Sequence, residues 1–188
     1  MTIPTRADAI RFLRKIGCPK NVIDHSIVVS NLAVAMAEAC EREGIPVDVK
    51  LVEIGSLLHD SGRSATHDVR HGVIGGALTR ANGFDERIVR IIENHVGAGI
   101  PAKEAEAVGL PKRDFMPETI EEKIVAYADK LMKGNKRIGV DEVLEEFSKT
   151  LGANHPALNR FRNLHREISS LIGGDQLGNS DSGKAKER

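Results

Sequence analysis

Four histidines and two aspartates of this sequence have the types and positions of metal ligands. His59 and Asp60 are adjacent at the end of the apolar segment LVEIGSLLHD, so a nitrogen and an oxygen ligand stand side by side where a buried helix is expected to end. The other four residues lie on apolar-rich segments before and after this pair: His25, His71, His95 and Asp129. Because histidine and aspartate are common ligands of divalent ions, the sequence predicts one inward-facing metal cluster.

Each of these residues also has an interpretation that involves no metal. A single histidine such as His25 is more often a hydrogen-bonded core residue, His71 suits an exposed helix position, and His95 suits the carbonyl end of a helix. Asp129 is harder to explain in this way, because burying a carboxylate within VAYADKL is costly without a cation or strong donors. The six residues together, in this order, favour a metal site over six unrelated roles.

The segments that carry these residues follow the helical period almost throughout. Apolar residues recur at intervals of three and four, and glycine or proline marks most ends. Helices are expected over about 5–16, 19–43, 47–59, 69–80, 85–96, 103–108, 118–132, 140–151 and 156–172, and strand signals are nearly absent. The sequence therefore predicts an all-α fold, a compact helical bundle that forms a single domain over residues 1–172. The polar tail, 173–188, is expected to be disordered.

The composition is that of an ordinary globular protein, and it argues against several functions. The 188 residues carry 27 basic and 27 acidic side chains, so the formal net charge of zero predicts no extended nucleic-acid surface. Aromatic residues make up 3%, which disfavours a stacking platform for single-stranded bases. Cys18 and Cys40 form no CxxC motif and are expected to be reduced thiols. No apolar run approaches ~20 residues, so we expect a cytoplasmic protein without a membrane partner.

The order of the six residues resembles a family signature. His25, the pair His59-Asp60, and Asp129 resemble the H…HD…D pattern of the HD superfamily of metal-dependent phosphohydrolases. His71 and His95 fall where the HDIG-type subgroup carries two extra histidines, and the flanks SIVVSNLA, GSLLHDSGR and IIENHVGAG are similar in character. The resemblance covers roughly 24–130 and extends to a small, stand-alone, archaeal-type and uncharacterised branch.

The resemblance implies a helical HD fold and a divalent-metal site. The first ion would be held by the residues of the signature, His25, His59, Asp60 and Asp129. His71 and His95 would hold a second ion, with Asp60 bridging the two. The implied ions are Mn, Fe, Mg, Zn or Ni, among which a mixed histidine and carboxylate shell does not choose.

The implied activity is hydrolysis of a small phosphorylated substrate by attack of metal-bound hydroxide. A nucleotide phosphomonoester or phosphodiester is the expected substrate. Asp60 and Arg63 are the expected catalytic residues, since an arginine neutralises phosphate in bidentate fashion. Arg63, His67 and Lys130 are the expected substrate-binding residues. Ser61 departs from the HDIG pattern, in which an aliphatic residue follows the aspartate.

Other functions remain open for the same residues. A degenerate HD domain would bind a nucleotide as a sensor without turnover, although a sensor need not keep six ligands. An HD-fold di-iron oxygenase would use the same ligands for oxidation, and a plain helical interaction module would need no metal. A homodimer through the last two helices is a further expectation, although core packing explains their apolar residues equally well: Leu144, Phe147, Leu151 and Leu164.

Overall fold

Nine α-helices run through residues 3–174, the part of the chain that the computed structural model describes. The helices are α1 (Arg6–Lys15), α2 (Lys20–Arg42), α3 (Val49–Leu58), α4 (His71–Ala81), α5 (Glu86–Asn94), α6 (Ala102–Ala107), α7 (Ile120–Lys130), α8 (Val140–Leu151) and α9 (Pro156–Leu171). A short 3-10 helix, Ser61–Ser64, follows α3. The prediction of an all-α bundle is confirmed.

The sequence analysis missed one feature, a small antiparallel hairpin between α7 and α8. Its strands are β1 (Met132–Lys133) and β2 (Lys136–Arg137), and Met132 pairs with Arg137. Strands of two residues are too short to show the alternating pattern from which strands are recognised. The hairpin nevertheless has a place in the site, described below.

Helix α2 is the longest element, and it packs along α3 and α7. Its length and hydropathy alone would also suit a membrane span, yet half of the apolar stretch is buried within the protein, as in the core helix of a bundle. The expected cytoplasmic location and the absence of a membrane partner stay predictions. The two cysteines, Cys18 and Cys40, are buried and unpaired, as expected for reduced thiols.

Helix α3 is buried along most of its length, and this burial carries its last residues into the core. Asp48 caps its start, since the carboxylate accepts a hydrogen bond of 2.9 Å from the backbone N–H of Leu51. From Leu51 to Leu58 every residue except Glu53 is buried. The chain therefore leaves α3 inside the protein, and the two residues that follow, His59 and Asp60, are buried too.

The 3-10 helix presses closely on α4, and glycine makes this approach possible. A Cβ on Gly62 would lie 1.9 Å from the carbonyl oxygen of His71, and one on Gly75 would lie 2.9 Å from the backbone nitrogen of Gly62. No side chain fits at such distances. The contact brings the start of α4, and with it His71, next to the end of α3.

The connection between α5 and α7 is held against α4 by a second, smaller apolar cluster. Ala105, Leu110 and Phe115 form its buried part, and Ile100 and Phe115 exchange two backbone hydrogen bonds of 2.9 and 2.8 Å. The predicted short helix within this connection is present as α6. The single domain over 1–172 stays a prediction, and the tail predicted to be disordered lies outside the described residues from 175 onward.

Candidate metal centre

The six predicted ligands come from five helices and meet in one place. His25 lies on α2, His59 and Asp60 follow α3, His71 begins α4, His95 follows α5, and Asp129 lies in the last turn of α7. Five of them are buried, with at most 8% of the residue exposed; His25 is partly exposed. Burial of this many polar side chains requires strong partners.

Each of the four imidazoles is oriented by a backbone carbonyl. The Nδ1 atoms lie 2.6–2.8 Å from carbonyl oxygens, and a carbonyl only accepts, so Nδ1 carries the hydrogen. A ring that carries no second proton therefore presents the lone pair of Nε2, as a metal-binding histidine does. The pairs are His25 with Gly134, His59 with Ser56, His71 with Asp68, and His95 with Ile92.

Three of these carbonyls belong to residues three positions earlier in the chain, so local backbone geometry supplies them. Gly134, in the turn of the hairpin, is the exception, since it is 109 residues from His25. Sequence reasoning missed this residue because any residue carries a carbonyl. The adjacent Gly134 and Asn135 are nevertheless a typical turn pair for a hairpin, and this signal would have located the turn.

His25, His59 and Asp129 form what we call the first cluster. Asp129 Oδ1 lies 3.1 Å from His25 Nε2 and 3.3 Å from His59 Nε2. His59 Nε2 also lies 3.7 Å from Asp60 Oδ2. This nitrogen is buried and has no hydrogen-bond partner, so the contacts with the two carboxylates lack hydrogen-bond geometry. A buried ligand atom that its neighbours leave unsatisfied is suited to a cation.

Asp60, His71 and His95 form the second cluster. Asp60 Oδ1 lies 3.3 Å from His71 Nε2 and 3.7 Å from His95 Nε2. The two Nε2 atoms are 3.1 Å apart, and both rings carry their hydrogen on Nδ1. Two lone pairs at this distance repel each other unless a proton or a metal cation lies between them. Because Asp60 Oδ2 faces His59 instead, this carboxylate connects the clusters.

The charges of the site favour the forms that bind metals. Burial lowers the pKa of His71 to about 3, with a further decrease from His95, and burial also lowers the pKa of His95. Both rings are therefore neutral near pH 7. Burial opposes ionisation of Asp60 and Asp129, but neighbouring positive charge outweighs it and lowers the pKa of both carboxyls. This charge comes chiefly from His59 at Asp60 and chiefly from Lys130 at Asp129.

His59 differs from the other buried histidines. Its burial opposes protonation, but the carboxylates of Asp60 and Asp129 outweigh this effect and raise the pKa of the imidazole. Two neutral imidazoles and two carboxylates fit a divalent cation, and a cation would compete with a proton for Nε2 of His59. The chemistry of these side chains therefore fits a metal site independently of the sequence motif.

A basic side chain contacts each of the two aspartates. Arg63 Nε donates to Asp60 Oδ2 at 2.7 Å, and Lys130 Nζ lies 2.6 Å from Asp129 Oδ2. Arg63 Nη1 also donates to the carbonyl oxygen of His67 at 3.2 Å. Of the residues expected to bind substrate, Arg63 and Lys130 thus adjoin the cluster, whereas the side chain of His67 is exposed and this residue reaches the site through its backbone.

Two clefts adjoin the candidate metal centre. One has a volume of about 430 Å³ and the other of about 560 Å³, and His25, Asp60 and Arg63 line both. Volumes of this size are ordinary for ligand pockets, which span ~300–1,000 Å³. Asp129 and Lys130 line the smaller cleft. A substrate in either cleft would contact Arg63 and the candidate metal-binding side chains together.

Comparison with known proteins identifies the family. The family model "HD domain" matches residues 22–134, a range that contains all six residues. An uncharacterised protein of Methanocaldococcus jannaschii is 48% identical over 155 residues, which cover 82% of this chain and 92% of that protein. The resemblance to the HD superfamily of phosphohydrolases is confirmed.

Two further comparisons, one with a sequence relative and one with a solved structure, extend over most of this chain. A tRNA (cytidine(56)-2'-O)-methyltransferase of Picrophilus torridus is 39% identical over 174 residues, which cover 92% of this chain; the match spans about half, 49%, of that enzyme. The crystal structure of the HD domain of the phosphodiesterase PgpH of L. monocytogenes, in complex with cyclic-di-AMP, aligns with a TM-score of 0.51 and 19% identity. The alignment covers 87% of this chain and 96% of that domain and shows a shared fold.

Proposed function

This chain belongs to the HD domain family, and we propose that it is a metal-dependent phosphohydrolase of a small phosphorylated substrate, a nucleotide monoester or diester. One observation carries the proposal. The Nε2 atoms of His71 and His95 face each other at 3.1 Å, neutral and buried, beside a carboxylate that also reaches the first cluster. This arrangement is unfavourable in the absence of a cation and favourable around one.

The residues divide into two candidate ion sites that share one aspartate. His25, His59 and Asp129 would hold one divalent ion together with Asp60. His71 and His95 would hold a second ion, also together with Asp60. When bound, such ions activate water for attack and polarise the phosphoryl oxygens.

The chain's own cations would act on the phosphate. Arg63 lines both clefts, and its planar guanidinium suits the oxygens of a phosphoryl group. Lys130 supplies a second positive charge in the smaller cleft. Both side chains are held beside the cluster by the aspartates they contact, so they are oriented before the substrate arrives. Oriented charge of this kind stabilises the negative charge that develops in phosphoryl transfer.

The choice of a nucleotide is supported by a neighbour of the same fold. The HD domain of PgpH belongs to a phosphodiesterase and binds cyclic-di-AMP. A shared fold does not establish a shared substrate, so the nucleotide class of substrate is part of the proposal. Hydrolytic activity would distinguish the proposed function from the two alternatives, a nucleotide sensor and a di-iron oxygenase.

The test is release of product from nucleotide mono- and diesters by protein that is first treated with chelator and then reloaded. Mn, Fe, Mg, Zn and Ni are supplied singly, and oxygen consumption is followed in the iron sample. Hydrolysis that requires an added ion supports the proposal. Nucleotide binding without turnover under every ion would indicate a sensor, and oxygen consumption without hydrolysis an oxygenase.

Arg63→Ala sharpens this test, with Arg14→Ala, an exposed arginine of α1, as the matched control. Removing one oriented positive charge should lower kcat by about 10²-fold while the metal content stays the same. Arg14→Ala should have no effect. Full activity of the Arg63→Ala protein would show that this arginine has no part in the mechanism. A change in its metal content would show that the substitution also disturbs the metal sites.

A further inference from the structure

Helix α8 supplies a wall of the smaller cleft, and it lies beyond the residues that the family model matches. Helix α8 carries five large apolar side chains, and of these Val143 alone is buried. Phe147 is partly exposed and Leu151 is 46% exposed, and both line the cleft. The helix thus presents apolar surface to the same space that the candidate metal centre opens into.

Phe147 is held in place by other aromatic rings. Its ring centroid lies 5.6 Å from that of Phe161, which is fully buried, and Phe161 lies 5.8 Å from Tyr127 on α7. These separations are typical of favourable aromatic pairs. A partly exposed ring that packs on a buried one costs little to order when a ligand binds.

The side chains that line this cleft differ in chemistry. Asp60, Arg63, Lys130 and Lys133 are charged, Glu146 of α8 pairs with Lys133, and Phe147 and Leu151 are apolar. The basic side chains suit a phosphoryl group and the apolar side chains suit a flat organic group. The volume of about 430 Å³ is large enough for a ligand that carries both.

We propose that Phe147 and Leu151 bind the base of a nucleotide substrate while its phosphate lies at the candidate metal centre. This inference rests on the proposed function, and it assigns substrate preference to a helix outside the matched family region. Stacking of a base on an aromatic side chain tolerates different bases, because every base has a flat face. The wall therefore selects for a base over no base rather than for one base over another.

The test compares two phosphate esters that differ by the base. Metal-loaded protein is tested with ribose 5-phosphate and with the 5'-monophosphates of adenosine, guanosine, cytidine and uridine, of which the tightest-binding is kept. The measured constant is KM where the ester is hydrolysed and Kd where it is only bound. The ratio of the two constants cancels every contact that the ligands share. The unmodified protein should prefer the nucleotide about tenfold or more.

Phe147→Ala and Leu151→Ala should bring this ratio towards one and leave the constant for ribose 5-phosphate unchanged, which also shows that the fold is intact. Phe147→Tyr keeps an aromatic face and should keep the ratio. Val108→Ala is the control, because Val108 is 51% exposed and is not among the residues that line this cleft.

A ratio near one in the unmodified protein, no binding of either ester, or a ratio that Phe147→Ala leaves unchanged would overturn the inference. The outcomes are separable from those of the proposed function. A preserved preference that depends on Phe147 without any hydrolysis would support the base site and contradict the hydrolase. Hydrolysis of both esters with equal constants would do the reverse.

Discussion

In the first cluster a carboxylate faces two histidines, whereas in the second cluster two histidines face each other. Asp129 Oδ1 lies within 3.3 Å of both Nε2 atoms of the first cluster. In the second cluster the shortest distance, 3.1 Å, joins the Nε2 atoms of His71 and His95. The two halves of one candidate metal centre thus differ in the charge that surrounds their histidines.

This difference has a consequence for what each half can bind. Carboxylates raise the pKa of His59, so a proton can partly satisfy the first cluster. Burial lowers the pKa of His71 and His95, so protons are a poor substitute for a metal in the second cluster. We expect the second cluster to depend more strongly on a metal cation, and the first to tolerate its loss at lower pH.

The largest expected effect comes from the residue that the clusters share. Asp60→Asn removes a charge whose two oxygens face different clusters, so both ions should be lost and hydrolysis should fall by at least about 10³-fold. Metal content by elemental analysis and product release are measured together. Asp141→Asn, an exposed aspartate of α8, is the control. Retention of one equivalent of metal would show that one cluster binds its ion without Asp60.

Variants of a single cluster should separate the two halves. Asp129→Asn removes the carboxylate of the first cluster, and His71→Asn removes one imidazole of the second. Each should lose about one equivalent of metal, with hydrolysis reduced about 10²-fold or more. Native mass spectrometry gives the stoichiometry. If either variant loses both ions, then the clusters are cooperative and the comparison between them fails.

The hairpin gives a way to disturb the first cluster without changing a ligand. Gly134 has a φ of 59°, so Gly134→Ala strains the turn whose carbonyl orients His25. Metal affinity should fall roughly 10-fold at the first cluster and stay unchanged at the second. Gly109→Ala is the control, since Gly109 has a φ of 78° and open space around it. Equal effects of both substitutions on metal binding would indicate general strain instead of a lost orientation.

The smallest expected effect is on stability against pH in chelator-treated protein. A histidine whose folded pKa lies below its unfolded value near 6.5 takes up protons more readily when unfolded, so stability falls as the pH falls. For His71, with a folded pKa of about 3, the loss between pH 7 and pH 5 should be roughly 2 kcal/mol. His59 has the opposite sign, because stability from its raised pKa is present at low pH and is lost as the pH rises.

Urea unfolding of metal-free protein at pH 7 and pH 5 checks this prediction. His71→Gln should lose about 2 kcal/mol less than the unmodified protein over this range. His67→Gln, which changes an exposed histidine, should behave like the unmodified protein. Parallel losses in all three proteins would mean that His71 is not held neutral by its surroundings.

The helices and the residue types of the site could be predicted from the sequence, because both depend on local patterns. Apolar residues at intervals of three and four indicate helices, and the adjacency of His59 and Asp60 requires no tertiary contact. Even the termini agree closely: the helix expected over 140–151 is α8, and the one expected over 156–172 ends at Leu171.

What only the tertiary structure decided depends on residues that are distant in the chain. The hydrogen bond between His25 and Gly134, the approach of His71 to His95, and the presence of Phe147 in the cleft that Asp60 also lines follow from how the helices pack. A local pattern states which chemical groups are available. The distances that make two histidines repel, or that place an aromatic ring in a cleft, are set by contacts between elements, and no single segment contains that information.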